Sequence, residues 1–276
     1  MSVTLPPVAL LGAGSMGGAI LAGLLRPDVA IPGGVRVTNR SSASAERIAG
    51  PGVTSYALER TPDANRRAVE GAGLVLVGVK PAMVPGLLRE IAGALEPGAV
   101  LVSVAAGVTV ATMESLVPGS VLRAMPNTPA LVGRGVTGVA AGTRSSAADL
   151  ALAVALFETV GEVLVVPEAQ IDALSTISGS GPAYVFFLIE QLSRTAVDLG
   201  FTPEQAAVMV NGTFRGASEL LAASDVSPAE LRRRVTSPKG TTERAVAVLE
   251  QARLSELFDR ATAAALARAR ELAAGS

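Results

Sequence analysis

The chain contains no histidine, no cysteine and no tryptophan. Without cysteine there are no disulfides, thiolate metal sites or catalytic thiols. Without histidine the commonest general base and the commonest metal ligand are gone, so no metal site is expected. Charge is sparse as well: charged residues make up 17% and the formal net charge is -1. That balance argues against nucleic acid or an anionic membrane as the main partner. Long apolar runs are also lacking, although mean hydropathy is +0.46. The uncharged stretch 173–189 is broken by "SGSGP", and 98–113 reads as strand, turn, strand. A spanning helix needs roughly 20 mostly apolar residues in a row. No basic flank precedes an apolar run at the N-terminus, so no secretory leader is expected. The chain reads as a soluble, cytoplasmic protein.

What is present is apolar and rich in glycine. The 276 residues are 49% hydrophobic, enough for two domains, each with its own core. The first half alternates short β-branched runs with helical spacing, the pattern of a parallel sheet with crossover helices. "VALLGAG" (8–14) is a buried strand entering a glycine turn, and 16–25 has helical spacing. Further strands are expected at 34–40, 73–81, 99–107, within 120–129, at 135–141 and at 161–166, with a helix at 44–49. From Pro167 onward no convincing strand appears. Pro182 suits the first turn of an apolar helix, and Gly200 suits the end of that helix. Thr202 with Gln205, and Ser227 with Glu230, each fit a capping box with proline at the first helical position. A last helix near 255–273 carries Leu257, Phe258, Ala261, Ala265 and Leu266 on one face. The expected fold is therefore α/β: a Rossmann-type doubly wound sheet over 1–168, then an all-helical domain over 169–276.

"GAGSMG" (12–17) is G-x-G-x-x-G directly after a strand and at the start of a helix. Gly12 allows the tight turn, Gly14 lets a pyrophosphate approach the backbone, and Gly17 lets helix and strand pack closely. The free N–H groups and positive end of the helix favour phosphate. The second strand ends in "TNRSS", with no acid until Glu46. NAD-binding versions place an acid there for the ribose 2′-OH. Asn39, Arg40, Ser41 and Ser42 instead form a cationic, hydroxylated cradle suited to a 2′-phosphate, which points to NADPH, with NADH as the second choice.

Two stretches in the second half bring backbone and hydroxyls together. "SGSGPAY" (178–184) precedes the most apolar helix, and reads as either a domain hinge or a ligand site. In "TSPKGTTER" (236–244), Gly240 is expected as an N-cap with Glu243 third into the helix. The free N–H groups at that end, with Thr241 and Thr242, make an anion pocket of carboxylate size. Lys239 is one of only two lysines, the other being Lys80.

These stretches together resemble pyrroline-5-carboxylate reductases. "LGAGSMGGAI", "VKP" (79–81), "SVAAGVT" (103–109), "RAMPNTPA" (123–130), "ISGSGPAYVF" (177–186) and "VTSPKGTTERAV" (235–246) fall in that family's order and spacing. The resemblance implies a Rossmann domain, a helical dimerisation domain, and reduction of L-1-pyrroline-5-carboxylate to L-proline by NADPH. It also implies dimers that stack into larger rings. Carried over, Ser15 and Met16 lie in the phosphate loop, and Asn65 approaches the adenosine half. Val79, Lys80, Pro81, Ala105, Ala106 and Gly107 lie at the strand ends near ribose and nicotinamide. Glu168, Thr241 and Thr242 contact substrate or product, with Ser237 and Gly240 in the same turn. Lys239 departs from the pattern, standing where many members have glycine. Arg234 departs too, standing where some have asparagine.

The chemistry suits the missing residues. A cyclic imine is protonated near neutral pH, so no side-chain base has to remove a proton, and Thr242 is the expected catalytic contact to the ring nitrogen. Two other readings share parts of the pattern. A β-hydroxyacid dehydrogenase needs a base, commonly a second-domain lysine with an asparagine one turn on, and Asn211 has no lysine near it. A non-enzymatic NADP-binding protein has no use for the anion pocket. The apolar helix over 185–192 is expected to be buried against a second subunit, since symmetric dimers are the commonest assembly.

Overall fold

The computed structural model of the chain describes residues 3–274, with side-chain surroundings through residue 271. Its strands are β1 (Val3–Thr4), β2 (Val8–Leu11), β3 (Val29–Ala30), β4 (Val35–Asn39), β5 (Val53–Ala57), β6 (Leu74–Val77), β7 (Val100–Ser103), β8 (Ser120–Met125), β9 (Gly135–Ala141) and β10 (Gly161–Val165). Between them run α1 (Ser15–Leu24), α2 (Ser42–Ile48), α3 (Ala64–Val69), α4 (Val84–Ile91), α5 (Val110–Glu114) and α6 (Ala147–Glu158). After β10 come α7 (Glu168–Leu174), α8 (Gly181–Asp198), α9 (Pro203–Ala222), α10 (Pro228–Arg234), α11 (Thr241–Gln251) and α12 (Leu254–Ala274). Two compact units result: within the described residues, 3–180 with 265–274, and Gly181–Ala264.

Eight strands form one sheet in the order β10-β9-β8-β7-β6-β2-β4-β5, and β1 and β3 make a separate parallel pair. The strand order reverses between β2 and β6, which leaves a crevice at their carboxyl ends. Side chains alternate along each strand and both faces are covered, so the strands read as continuous apolar runs. Leu10, Val37, Leu76, Val102 and Leu122 face one way, onto Ile20 and Leu24 of α1 and Leu156 and Phe157 of α6. Leu11, Val75, Val77, Leu101 and Val121 face the other way, onto Ala68 and Val69 of α3 and Val84, Leu88 and Ile91 of α4.

Not every pairing is parallel. β9 lies antiparallel to β8, with Leu122 opposite Ala141 and Met125 opposite Gly138. The connection between them is a 3-10 turn, Thr128–Val132, far too short for a crossover helix. β10 then follows β9 in parallel.

Residues 98–113 form one strand, not two. "VATME" is α5, because the Thr109 side chain accepts from Thr112 N–H and starts a helix there. Its β-branched residues gave it the look of a strand. Strand β5 and helices α3 and α4 carried no clear signal. β5 is an edge strand in which Thr54 is exposed and Ser55 and Tyr56 are only partly buried, and α4 opens on Pro85 and Gly86, which break the helical pattern. The Thr202–Gln205 capping box is complete. At α10 only half forms: Ser227 accepts from Glu230 N–H, but the Glu230 carboxylate turns to Arg233 and Arg234.

In the second unit α8 carries Val185, Phe186, Phe187, Leu188 and Leu192, all exposed. Leu257 and Phe258 of α12 are exposed too, and Phe258 lies 6.1 Å from the Tyr184 ring. Among the described residues no helix is long and apolar enough to cross a membrane.

Phe157 is fully buried beneath the sheet. Phe157→Ala should cost about 3–5 kcal/mol and lower Tm by about 10 °C in a thermal melt.

Candidate active site

The crevice at the switch point is a cleft of about 740 Å³. From one side to the other it is lined by Asn39 at the end of β4 and Arg40 after it, Gly12, Gly14 and Ser15 after β2, and Gly78, Val79 and Lys80 after β6. Asn65 lines it as well, with its amide donating to Glu90 at 3.2 Å.

The glycines act as their spacing implies. Gly12 has φ +91, and a Cβ there would lie 2.8 Å from Val79 Cγ1. A Cβ on Gly17 would lie 2.7 Å from the Gly12 carbonyl, so Gly17 lets α1 sit on the loop and is not itself a wall of the cleft. A Cβ on Gly14 would meet no protein atom within 4 Å. That space is open for a ligand's close approach.

At the β4 end, Asn39 is buried and its Nδ2 has no hydrogen-bond partner. A buried donor without a partner is costly, and a ligand oxygen in the cleft would satisfy it. Arg40 stands beside it, and Ser44 and Arg47 on one face of α2 line the same end. Glu46, the nearest acid in sequence, pairs with Arg60 at 3.5 Å and leaves this cationic end alone. The donor set fits a phosphorylated ribose: cations, a hydroxyl and an amide N–H. Of the carboxylates nearby, Glu90 is bonded to Asn65, and Glu59 takes the Ser42 N–H at 2.7 Å, which draws Ser42 out of the cleft lining.

Some expected residues stand outside the cleft lining. Ser41 is the N-cap of α2, accepting from Ser44 N–H. Met16 is half-buried and packs on the core. Pro81 opens a 3-10 turn, Pro81–Met83. Ala105 is buried with its N–H donating to Ser103 Oγ at 3.2 Å, and Gly107 has φ +77; with Ala106 they form the loop after β7. Conversely, Thr38, Ser44, Arg47, Ile48, Leu58, Met83, Leu87, Glu90 and Leu131 line the cleft without having been expected there. Ser44, Arg47 and Ile48 fall at i, i+3 and i+4, a spacing that could have revealed that face of α2.

Glu168 opens α7, and its Oε1 accepts the Val110 N–H at 2.6 Å and lies 3.7 Å from Arg123 Nη1. Just beyond α7 the chain winds into a π-helical turn, Ser175–Gly179, with Ser180 N–H bonded to the Ser175 carbonyl. Such turns often accompany functional sites. Buried Asn127 braces this one, donating to the Ser178 carbonyl at 2.9 Å and accepting from Val136 N–H at 2.8 Å.

In the second unit, Gly240 is the N-cap of α11 and makes no side-chain cap hydrogen bond. Thr241 and Thr242 are the first two helical residues, and the Glu243 carboxylate reaches back to the Lys239 N–H at 2.8 Å. The Ser237 carbonyl accepts from Gly240 N–H at 3.0 Å and closes the turn. Lys239 has φ +61, so the left-handed conformation that glycine favours is kept here by a lysine. Upstream, α10 ends in Arg233 and Arg234, whose hydrogen bonds hold the Glu230 carboxyl down at about 2.

Comparison with known proteins accounts for these features together. A family model described as pyrroline-5-carboxylate reductase dimerisation matches residues 168–272. A second, described as NADP oxidoreductase coenzyme F420-dependent, matches 7–107. A pyrroline-5-carboxylate reductase of Pseudomonas aeruginosa is 38% identical over 271 residues, covering 97% of each chain. The solved structure of a pyrroline-5-carboxylate reductase from Coxiella burnetii superposes with a TM-score of 0.88 at 35% identity, covering 96% of this chain and 97% of that one. A Mycobacterium tuberculosis 3-hydroxyisobutyrate dehydrogenase structure is more distant: TM-score 0.52 and 18% identity over 77% of this chain and 71% of the other. It shares the fold only.

Lys239→Gly should leave the turn in place and raise stability by up to about 1 kcal/mol, because the left-handed penalty of about 1–2 kcal/mol outweighs the added unfolded-state freedom. Chemical denaturation of the two proteins checks this. With a glycine-capped helix start, a left-handed turn before it, a dinucleotide cleft and full-length relatives above 30% identity, the chain belongs to the pyrroline-5-carboxylate reductase family.

Proposed function

We propose that the chain reduces L-1-pyrroline-5-carboxylate to L-proline with NADPH, as a cytoplasmic homodimer. The observation that carries this reading is the start of α11. Helices α2, α5, α6, α9 and α10 each begin at a serine or threonine whose side chain accepts a first-turn N–H. Helices α3, α4 and α7 also start without a side-chain cap; what sets α11 apart is that its cap is Gly240 and that the hydroxyls of Thr241 and Thr242 follow at once. Its first-turn N–H groups are left for an external acceptor, and a carboxylate is the natural one.

The cofactor is held by the first unit's cleft: the Gly12–Ser15 loop against the pyrophosphate, and Asn39, Arg40, Ser44 and Arg47 around the 2′-phosphate. Bound NADPH supplies the hydride. The substrate carboxylate is held by the N–H groups of Thr241 and Thr242, with the Ser237 hydroxyl beside them. The Thr242 hydroxyl hydrogen-bonds the ring nitrogen. That nitrogen is already protonated near neutral pH, so a protein without histidine or cysteine lacks nothing the reaction needs. Positioning of this kind can account for about 7–11 kcal/mol of barrier.

The dimer reading rests on the exposed apolar face of α8 and on the dimerisation model matched over 168–272. An isolated chain would leave those phenylalanines in water, at a cost of roughly 25 cal/mol per Å². Light scattering reads the subunit number, and with it the ring of dimers.

Thr242→Val should lower kcat/KM for the imine by about 10- to 1,000-fold, with NADPH binding intact, as expected for loss of a bond made at the reacting ring. Unaltered activity would remove Thr242 from the mechanism. Arg40→Ala should reduce the preference for NADPH over NADH by about tenfold or more, since a charge-assisted phosphate contact is lost. Oxidation of 3-hydroxyisobutyrate with NAD, in place of imine reduction, would favour the β-hydroxyacid dehydrogenase reading.

A further inference from the structure

We propose that buried Arg123 is a positioning residue which, acting through Glu168, fixes the loop at 104–109 where the nicotinamide end of the cofactor is held. This rests on the NADPH reading above and deepens it. Neither Arg123 nor its strand takes part in the cleft or the turn described so far.

Arg123 lies in β8 opposite Ser103, the last residue of β7. It is 3% exposed, which is rare for a charged side chain. Its guanidinium meets two carboxylates one helical turn apart on α7: Asp172 Oδ1 at 2.5 Å from Nη2, and Glu168 Oε1 at 3.7 Å from Nη1. The contacts are unequal. Asp172 takes the direct hydrogen bond, while Glu168 is held mainly by charge, and its oxygen is spent on the Val110 N–H at 2.6 Å. Buried ion pairs add little net stability compared with apolar packing, so a fold alone has small need of one here.

The Val110 amide opens α5, directly after the loop. The loop is thereby fixed at both ends. At the β7 end, Val104 N–H donates to the Val77 carbonyl at 3.0 Å, and Ala105 N–H donates to Ser103 Oγ. At the α5 end, Glu168 holds Val110. Between the two fixed ends lie Ala106 and Gly107, whose φ of +77 shapes the bend.

The place of this loop follows from the sheet. The cleft runs from Asn39 and Arg40 at the end of β4, past the β2 loop, to Val79 and Lys80 after β6. A dinucleotide spans the switch point with one half on each side. With the cationic end at β4, the nicotinamide half extends over β6 and toward the next strand, β7, where Val77 is opposite Ser103. A loop held at the wrong height there would misplace the reacting carbon while leaving the adenosine half seated. The committed oxygen also bears on the role implied for Glu168 by resemblance: it orders the loop, whatever its second oxygen touches.

The test compares Glu168→Ala, Glu168→Gln and Arg123→Lys with the wild type. Whole-cofactor affinity is read from the fluorescence of bound NADPH, adenosine-half affinity from calorimetry with 2′,5′-ADP, and kinetics from NADPH oxidation with the imine. Glu168→Ala should weaken NADPH binding by about tenfold, the worth of one charge-assisted hydrogen bond. It should also lower kcat, with 2′,5′-ADP affinity and the KM for the imine within about twofold of wild type. Glu168→Gln keeps an oxygen for Val110 N–H and should recover most of the loss. Arg123→Lys keeps the charge but not the fork, and should reproduce the defect in weaker form.

A higher KM for the imine with unchanged NADPH affinity would make Glu168 a substrate contact and overturn the proposal. So would a parallel fall in NADPH and 2′,5′-ADP affinity, which marks general damage to the fold, or a wild-type phenotype for Arg123→Lys. Should the wild type bind NADPH yet leave the imine unreduced, the proposed function fails on its own, and the fluorescence comparison still decides the role of Arg123.

Discussion

A helix with glycine at its N-cap cannot satisfy its own first-turn N–H groups with a side-chain cap, and two of the described helices are of this kind. One is α1, after Gly14; the other is α11, after Gly240. In both, the missing cap leaves backbone donors, and the positive end of the helix dipole, for an acceptor brought from outside. The proposed chemistry uses these two places as its anion sites, a pyrophosphate at one and a carboxylate at the other. Glycine is what a main-chain binding site requires here: a serine at either cap would supply the acceptor internally and compete with the ligand.

The rest of the architecture supports these starts. Around α1 the support is the alternation of the sheet. Leu10 and Leu11 go to opposite cores, so β2 is fixed on both faces just before the loop, and the Gly12 carbonyl has no freedom to leave α1. Around α11 the support is local. Glu243 holds Lys239 N–H and the Ser237 carbonyl holds Gly240 N–H, so the turn keeps its shape without packing into a core. The left-handed Lys239 is the cost of that shape. The loop after β7 follows the same logic, with two hydrogen bonds from the strand side and one, through Glu168, from a buried arginine.

Much of this was legible in the sequence. The glycine loop, the end of β4 at Asn39, the apolar strands and the glycine start of α11 all depend on local backbone rules, which residue type and spacing reveal. The family is legible because "SGSGPAY" and the "SP-x-G-T-T" turn are far more specific than the glycine loop, even with Lys239 departing from the pattern. What was not legible depends on partners distant in the chain. The antiparallel turn of β9 follows from a short connection whose geometry no residue pattern announced. The edge strand β5 is partly exposed and lacks the alternation of a buried strand. "VTVATME" reads as extended from its β-branched residues, but Thr109 caps it as a helix. Arg123 looked like any arginine in a strand, since its two carboxylates lie 45 or more residues later in the chain. The lining residues Ser44 and Arg47 belong to a helix whose exposed face could not be assigned without knowing where the cleft lies.

The central claim is that main-chain amides at the start of α11 hold the acid group of the substrate. A crystal structure of the protein with L-proline and NADP tests it most directly. The account predicts carboxylate oxygens within about 3 Å of the Thr241 and Thr242 nitrogens, with the Thr242 hydroxyl on the ring nitrogen. Proline bound with its carboxylate on other donors, and those two amides facing water, would contradict it.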